Sequence, residues 1–281
     1  MNKTIYLDNA ATTPTKPEVL QEMLPYFTES FGNPSSVYSL GQQNKQAVAQ
    51  ARERIAKVLS AQANEIYFTA GGSESDNWAL KATAEAYKDK GNHIITSKIE
   101  HHAILHTCEY LEKRGFEVSY IDVDENGVIK LDELEAAIRP ETILISVMFA
   151  NNEIGTIEPI KEIGEIAKKH GVLFHTDAVQ AFGQVPINVK ELGIDMLSAS
   201  GHKLNGPKGI GFLYMKKGLK VKSFVHGVSK DFINTCCKCC KNICNCCFIC
   251  CWGITTECFK NERKAFFVAK TTIDNNCVCA V

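Results

Sequence analysis

The sequence predicts an α/β fold: a mostly parallel, doubly wound sheet with helices on both faces. Three observations predict it. From about residue 65 to 215, short β-rich runs alternate with helical patterns, and strands separated by helices of this size imply βαβ crossovers. The longest apolar stretches, such as "ILISVMFA" at 143–150, are too short for a bilayer span and suit a strand buried on both faces. Small residues punctuate the pattern where helices should close. Taken in order, Val48, Ala51, Ile55, Val58 and Leu59 recur at helical spacing, so 43–59 reads as an amphipathic helix packed on the sheet. "EIYFTA" (65–70) is a strand, followed by a helix over "SESDNWALKATAEAYKDK" that Gly91 ends as a C-cap glycine. "HIITS" (93–97) leads to a helix at 102–114, closed by Gly115, and "EVSYID" (117–122) to a helix at 131–138. After "ILISVMFA" come a helix at 160–170 and three further strands, "VLFHTDA" (172–178), "MLSAS" (196–200) and "GIGFLYM" (209–215). No internal repeat and no linker interrupts the chain before residue 226.

The 281 residues are 45% hydrophobic and 22% charged, the balance of a globular chain able to bury a sizeable core. A formal net charge of -1 argues against a nucleic-acid partner, which leaves a basic footprint. The start, "MNKTIYLDNAATTP", has no apolar segment followed by a small-residue cleavage site. A cytoplasmic protein with no membrane partner is the expectation. Cysteine divides the chain: of 13, only Cys108 precedes residue 236.

Open parallel sheets bind ligands in the crevice at the carboxyl ends of their strands. Five successive strand ends carry polar groups there: Gly71-Gly72-Ser73, Glu100-His101-His102, Asn151-Asn152-Glu153, Asp177 with Gln180, and Ser200 with His202 and Lys203. Gly72 and Ser73 opening a helix outline an anion site, where backbone N–H groups and the positive helix end favour a phosphate. The plainer reading is a serine N-cap with Glu74 in the first turn. Asp177 suits a protonated pyridine nitrogen, or else a turn. His101 suits stacking on an aromatic cofactor and proton transfer, or else a solvated loop. Asn152 and Gln180 suit a ring oxygen, or else loop backbone. Lys203, between "SGH" and "LNGPKGIG", suits a nucleophilic amine that takes an aldehyde as a Schiff base, or else a surface lysine. Phosphate cradle, ring-nitrogen carboxylate, imidazole and amine together match what pyridoxal phosphate requires.

"YLDNAATTP" (6–14), "FGNPSS" (31–36), "GGSESDN" (71–77), "EHHA" (100–103), "NNEIGT" (151–156), "HTDAVQ" (175–180) and "SGHKLNGPKGIG" (200–211), in unbroken order over residues 1–227, resemble the cysteine desulfurases of iron–sulfur cluster assembly. These belong to the class V aminotransferase group, with fold type I pyridoxal phosphate architecture. The resemblance implies that Lys203 binds the cofactor aldehyde and that His101 stacks on the ring and moves protons. It implies that Asp177 binds the pyridine nitrogen and that Gln180 and Asn152 lie near the ring hydroxyl. Gly72, Ser73, Ser200 and His202 would hold the phosphate. The implied reaction takes L-cysteine to L-alanine and leaves a persulfide on an enzyme cysteine. The implied partners are an iron–sulfur scaffold or another sulfur acceptor, within a homodimer. The alternative among enzymes is another class V member, such as a selenocysteine lyase or an aminotransferase. A non-catalytic metal–thiolate protein is the reading from a different class.

After "SFVHG" (223–227) the family pattern stops. The family continues into a small domain with a persulfide cysteine and a substrate-binding arginine, and neither has a matching position here. Residues 228–281 instead hold Cys236-Cys237, Cys239-Cys240, Cys246-Cys247 and Cys250-Cys251. A change of reading frame near 228 explains the abrupt change in composition. A thiolate cluster is the alternative, although zinc sites usually show two well-separated C-x-x-C pairs. No metal ligand is assigned. A chain lacking the small domain is expected to have impaired turnover.

Overall fold

The computed structural model describes residues 5–221 together with 223–224. The cysteine-rich segment 228–281, with its frame-change and thiolate readings, lies outside the described residues. The elements run α1 (Pro17–Met23), α2 (Pro25–Thr28), α3 (Ser39–Leu59), β1 (Ile66–Thr69), α4 (Gly72–Tyr87), β2 (His93–Ser97), α5 (His102–Glu112), β3 (Glu117–Ile121), α6 (Leu131–Ala136), β4 (Thr142–Ser146), α7 (Ile160–His170), β5 (Leu173–Asp177), β6 (Met196–Ser200) and β7 (Gly211–Met215).

The seven strands form one sheet in the order β1-β7-β6-β5-β4-β2-β3. The β2–β3, β2–β4, β4–β5 and β5–β6 pairs are parallel. Only β7 runs against its neighbours β6 and β1. The short connection from Ser200 to Gly211 explains that reversal, because a parallel return needs a crossover of a dozen or more residues. β2, β4, β6 and β7 are buried at every position, whereas the edge strand β3 is not. That is why none of these four strands contains an Asp, Glu, Lys or Arg.

Alternation along the strands feeds two cores. Ile95, Ile145, Phe174, Leu197 and Phe212 pack with Ile55 and Leu59 of α3 and Ile163 of α7. Ile94, Leu144, Met196 and Leu213 pack with Trp78 and Leu80 of α4 and Ile104 and Leu111 of α5. Helices therefore cover both faces, as expected.

Three details differ from the sequence reading. Gly91 does not cap α4 in a left-handed conformation; the C-cap is Lys88 in the right-handed region. Gly91 is required by packing, since a Cβ there would lie 2.1 Å from the Glu141 carbonyl oxygen. Gly115, at φ +87°, does take the helix-closing conformation. The strand expected over 143–150 ends at Ser146. Beyond it the chain stays extended, with Val147 N–H donating to the His175 carbonyl (3.2 Å) and Phe149 N–H to the Asp177 carbonyl (2.8 Å). Finally, α1 and α2, each with a proline in its first turn, precede the helix that the periodicity indicated.

Candidate active site

The loops at the carboxyl ends of β1, β2, β4, β5 and β6 meet in a cleft of about 340 Å³. All nine residues singled out from the sequence line it: Gly72 and Ser73 from one loop, His101 and Asn152 from two others, and Asp177, Gln180, Ser200, His202 and Lys203 from the last two. None lies elsewhere.

The N-terminus of the 16-residue α4 forms one wall, with Gly71 as N-cap and no side-chain cap. Ser73 is inside the helix, so the plainer reading of Ser73 as N-cap does not hold. Glu74 instead turns back to accept the Ala70 N–H, and Gly72 and Ser73 at the helix start line the cleft together with Ser200. Gly72 is needed because a Cβ there would meet Val179 Cγ2 at 2.5 Å. This wall is an anion cradle of backbone donors at a positive helix end.

His101 is the N-cap of α5, its Nδ1 accepting the Ala103 N–H at 3.1 Å. That bond places the proton of the neutral ring on Nε2. Asp177 ends β5 and is 6% exposed. Burial pushes its carboxyl above the usual range, opposed by the Val179 N–H, which donates to Oδ1 at 2.9 Å, and by His101 and Lys203. Lys203 Nζ donates to the carbonyls of Ala10 and Ala11, the latter at 2.9 Å. Burial lowers its amine below the ordinary lysine range, against the pull of Asp177 and Asp8. An amine so shifted is deprotonated more readily, as a nucleophile requires. Gln180 Nε2 donates to the Ala10 carbonyl at 2.9 Å.

The resemblance gives "YLDNAATTP" (6–14) no role. In the structure this segment straps the cleft. Thr13 N–H and Oγ1 both donate to the His202 carbonyl, at 2.9 and 2.7 Å. His202 Nδ1 lies 3.1 Å from Thr12 Oγ1, and Lys16 N–H donates to the Asn205 carbonyl at 3.0 Å. Ala10 and Ala11 act through backbone carbonyls, which every residue possesses, so residue type gave no signal. Asn151, beside the expected Asn152, is the amide that holds its loop. Its Oδ1 accepts from Glu153 and Ile154 N–H at 2.8 and 3.1 Å, and its Nδ2 donates to the Ile99 carbonyl at 3.2 Å. Asp76 also lines the cleft; its signal was its place four residues after Gly72, on the same helix face.

Glu100 locks the loop that carries His101. Its Oε1 accepts from Ser97 Oγ (2.6 Å) and Met148 N–H (2.9 Å). Burial pushes its carboxyl up from 4.5 to about 8. The folded state therefore holds a proton that the unfolded chain releases, so this contribution is present below pH 4.5 and is lost as pH rises toward 8. The limiting slope is about 1.4 kcal/mol per pH unit. Glu100→Gln keeps the accepting oxygen and removes the titration. The urea midpoint should fall less between pH 5.5 and pH 8 in the variant than in the parent protein; equal falls would contradict the assignment.

The chain matches the family Aminotransferase class-V over residues 5–235. It belongs to that family. A protein named cysteine desulfurase IscS, from Clostridium botulinum (strain Kyoto / Type A2), is 63% identical over 231 residues, covering 82% of this chain and 58% of the relative. The chain thus spans less than two thirds of that relative's length. Among solved structures, a NifS-like protein superposes with a TM-score of 0.85 at 39% identity, covering 91% of this chain and 70% of that one. SspA in complex with cysteine superposes with a TM-score of 0.83, also at 39% identity, covering 92% of this chain and 74% of that one. Class V members depend on pyridoxal phosphate, and the residues present fit it. The α4 cradle, whose N-terminus has no side-chain cap, would take the phosphate. Asp177 would take the ring nitrogen, and Lys203, with its lowered amine, the aldehyde.

Proposed function

We propose that this protein is a pyridoxal-phosphate-dependent cysteine desulfurase, converting L-cysteine to L-alanine and passing the sulfur to a cysteine thiol for iron–sulfur cluster assembly. The observation that supports this best is the convergence of Lys203, Asp177, His101 and the α4 N-terminus on one cleft, in a chain 63% identical to a cysteine desulfurase. When bound, the cofactor supplies an electron sink for the negative charge that develops at the substrate Cα.

The chain's own residues do the rest. Backbone N–H groups of the first turn of α4, with Ser73, Ser200 and His202, bind the phosphate. Asp177 orients the ring through its nitrogen and keeps a negative charge there. Gln180 and Asn152 hold the ring-hydroxyl side. Lys203 Nζ binds the aldehyde and moves protons at the substrate Cα, and the His101 imidazole stacks on the ring, with Nε2 the second proton carrier. The Ala10 and Ala11 carbonyls keep the Lys203 amine aimed into the cleft. Residues 1–227 form the cofactor-binding unit in this reading, with 228–281 a separate segment. The protein works as a cytoplasmic homodimer and delivers sulfur to a scaffold or another acceptor protein. Consistent with this, no helix among the described residues is long and apolar enough to cross a membrane.

The test measures alanine and sulfide from L-cysteine with a thiol reductant. It compares the 281-residue chain with a chimaera carrying the Clostridium botulinum relative's C-terminal portion after residue 227. Alanine and sulfide formed one for one by the chimaera are the expected result. A keto acid in place of alanine would assign transamination instead, and turnover of selenocysteine but not cysteine would assign a lyase for that substrate.

A further inference from the structure

Behind Asp177 lies a polar seam in the otherwise apolar contact between α4 and the sheet. His175, fully buried on β5, has Nδ1 2.9 Å from Ser146 Oγ of β4 and Nε2 3.0 Å from Ser198 Oγ of β6. Asp76 of α4, 1% exposed, has Ser198 as its hydrogen-bond partner. Its Oδ1 has no hydrogen bond and lies 3.8 Å from His175 Nε2. His175 and Asp177 share one face of β5, and Ser198 is the register partner of Asp177.

The ionisation of Asp76 follows from these neighbours. The 3.8 Å separation is an ion-pair distance, but burial pushes His175 down to about 3, so the ring is neutral and makes no ion pair. Burial above all, and then the neighbouring Asp177 carboxylate, push the Asp76 carboxyl well above the usual range, and the Ser198 hydrogen bond opposes them only in part. A carboxylate in this position would be desolvated, uncompensated and short of a hydrogen bond. The protonated acid needs no cation and sits in the seam at far smaller cost.

We infer that Asp76 is a positioning residue for the cofactor site: a neutral carboxyl that docks the phosphate-binding turn of α4 onto β5 and β6, in register with Asp177, and leaves Asp177 as the charge facing the ring nitrogen. This rests on the pyridoxal phosphate reading above. A buried polar group inside an apolar contact specifies one relative placement of helix and sheet, because sliding α4 would strand it without partners.

The test uses the full chain with pyridoxal phosphate as the probe, together with infrared difference spectra of the cofactor-free protein. The parent protein should show the carbonyl band of a protonated carboxylic acid at neutral pH that Asp76→Asn lacks. Asp76→Asn, equally neutral, should bind pyridoxal phosphate within about threefold of the parent. Asp76→Ala and Ser198→Ala should each bind roughly tenfold more weakly, or about 1.4 kcal/mol, a loss that the asparagine variant avoids. Absence of the acid band, an asparagine variant as weak as the alanine variant, or an alanine variant as tight as the parent would each overturn the inference. Should Asp76→Ala fail to fold, the Ser198→Ala affinity and the infrared difference decide. A parent protein that binds no pyridoxal phosphate would sink the proposed function, while the infrared difference still decides the state of Asp76.

Discussion

Lys203→Ala is expected to abolish the long-wavelength absorbance that the protein gains with pyridoxal phosphate and to cut the turnover of the chimaera at least about 10²-fold, since positioned proton transfer alone contributes 10²–10⁴-fold. The fold should survive. Among the described residues the Lys203 amine bonds only to the Ala10 and Ala11 carbonyls, and the strap that carries them has independent ties. Thr13 is held by the His202 carbonyl, Lys16 by the Asn205 carbonyl, and Thr12 by His202 Nδ1. Those bonds lie on either side of the lysine and do not use its side chain. The urea midpoint should therefore move little, and a variant that keeps the absorbance band would refute the role. The lowered amine adds a pH signature. Burial favours the neutral form, so the rate at which absorbance develops should rise with pH and level off below the range of an exposed lysine.

Much of the site was legible because parallel sheets place function at strand ends. The strands are short β-rich runs, and those in the middle of the sheet hand over to polar residues at their carboxyl ends. Asp177 after "FHT" and Lys203 after "MLSASGH" could therefore be placed in one crevice from order alone. What was not legible depends on contacts distant in sequence or on groups common to all residues. Gly91 reads as a helix cap until the Glu141 carbonyl is seen against it. Ala10 and Ala11 hold Lys203 by carbonyls that no residue type reveals. The four-residue α2 is too short to show a period. Asp76 follows Gly72 by four residues, but only the packed helix reveals that this face meets β5 and β6.

Asp177→Asn should weaken pyridoxal phosphate binding by roughly 30-fold, equivalent to about 2 kcal/mol, the size of one hydrogen bond to a charged group. Turnover should fall further, because a neutral amide no longer holds a proton on the ring nitrogen and the electron sink is weakened. The substitution is nearly isosteric, and its oxygen can still accept the Val179 N–H that Asp177 Oδ1 now binds at 2.9 Å. Local geometry should persist. Stability should move the opposite way. Burial raises the Asp177 carboxyl above its ordinary 3.8, so its contribution to stability is greatest below that value and is lost as pH rises through the folded pKa. Near neutral pH the buried charge is thus a cost in the cofactor-free protein, and Asp177→Asn should unfold at an equal or higher urea concentration. Affinity carries the complementary signature: it should fall in the parent protein as acid protonates Asp177, at a pH above that for an exposed aspartate, and this acid limb should vanish in the variant. A structural aspartate would lose stability and affinity together. An asparagine variant that binds the cofactor as tightly as the parent, or whose affinity loss tracks a loss of stability, would show that Asp177 does not hold the ring nitrogen.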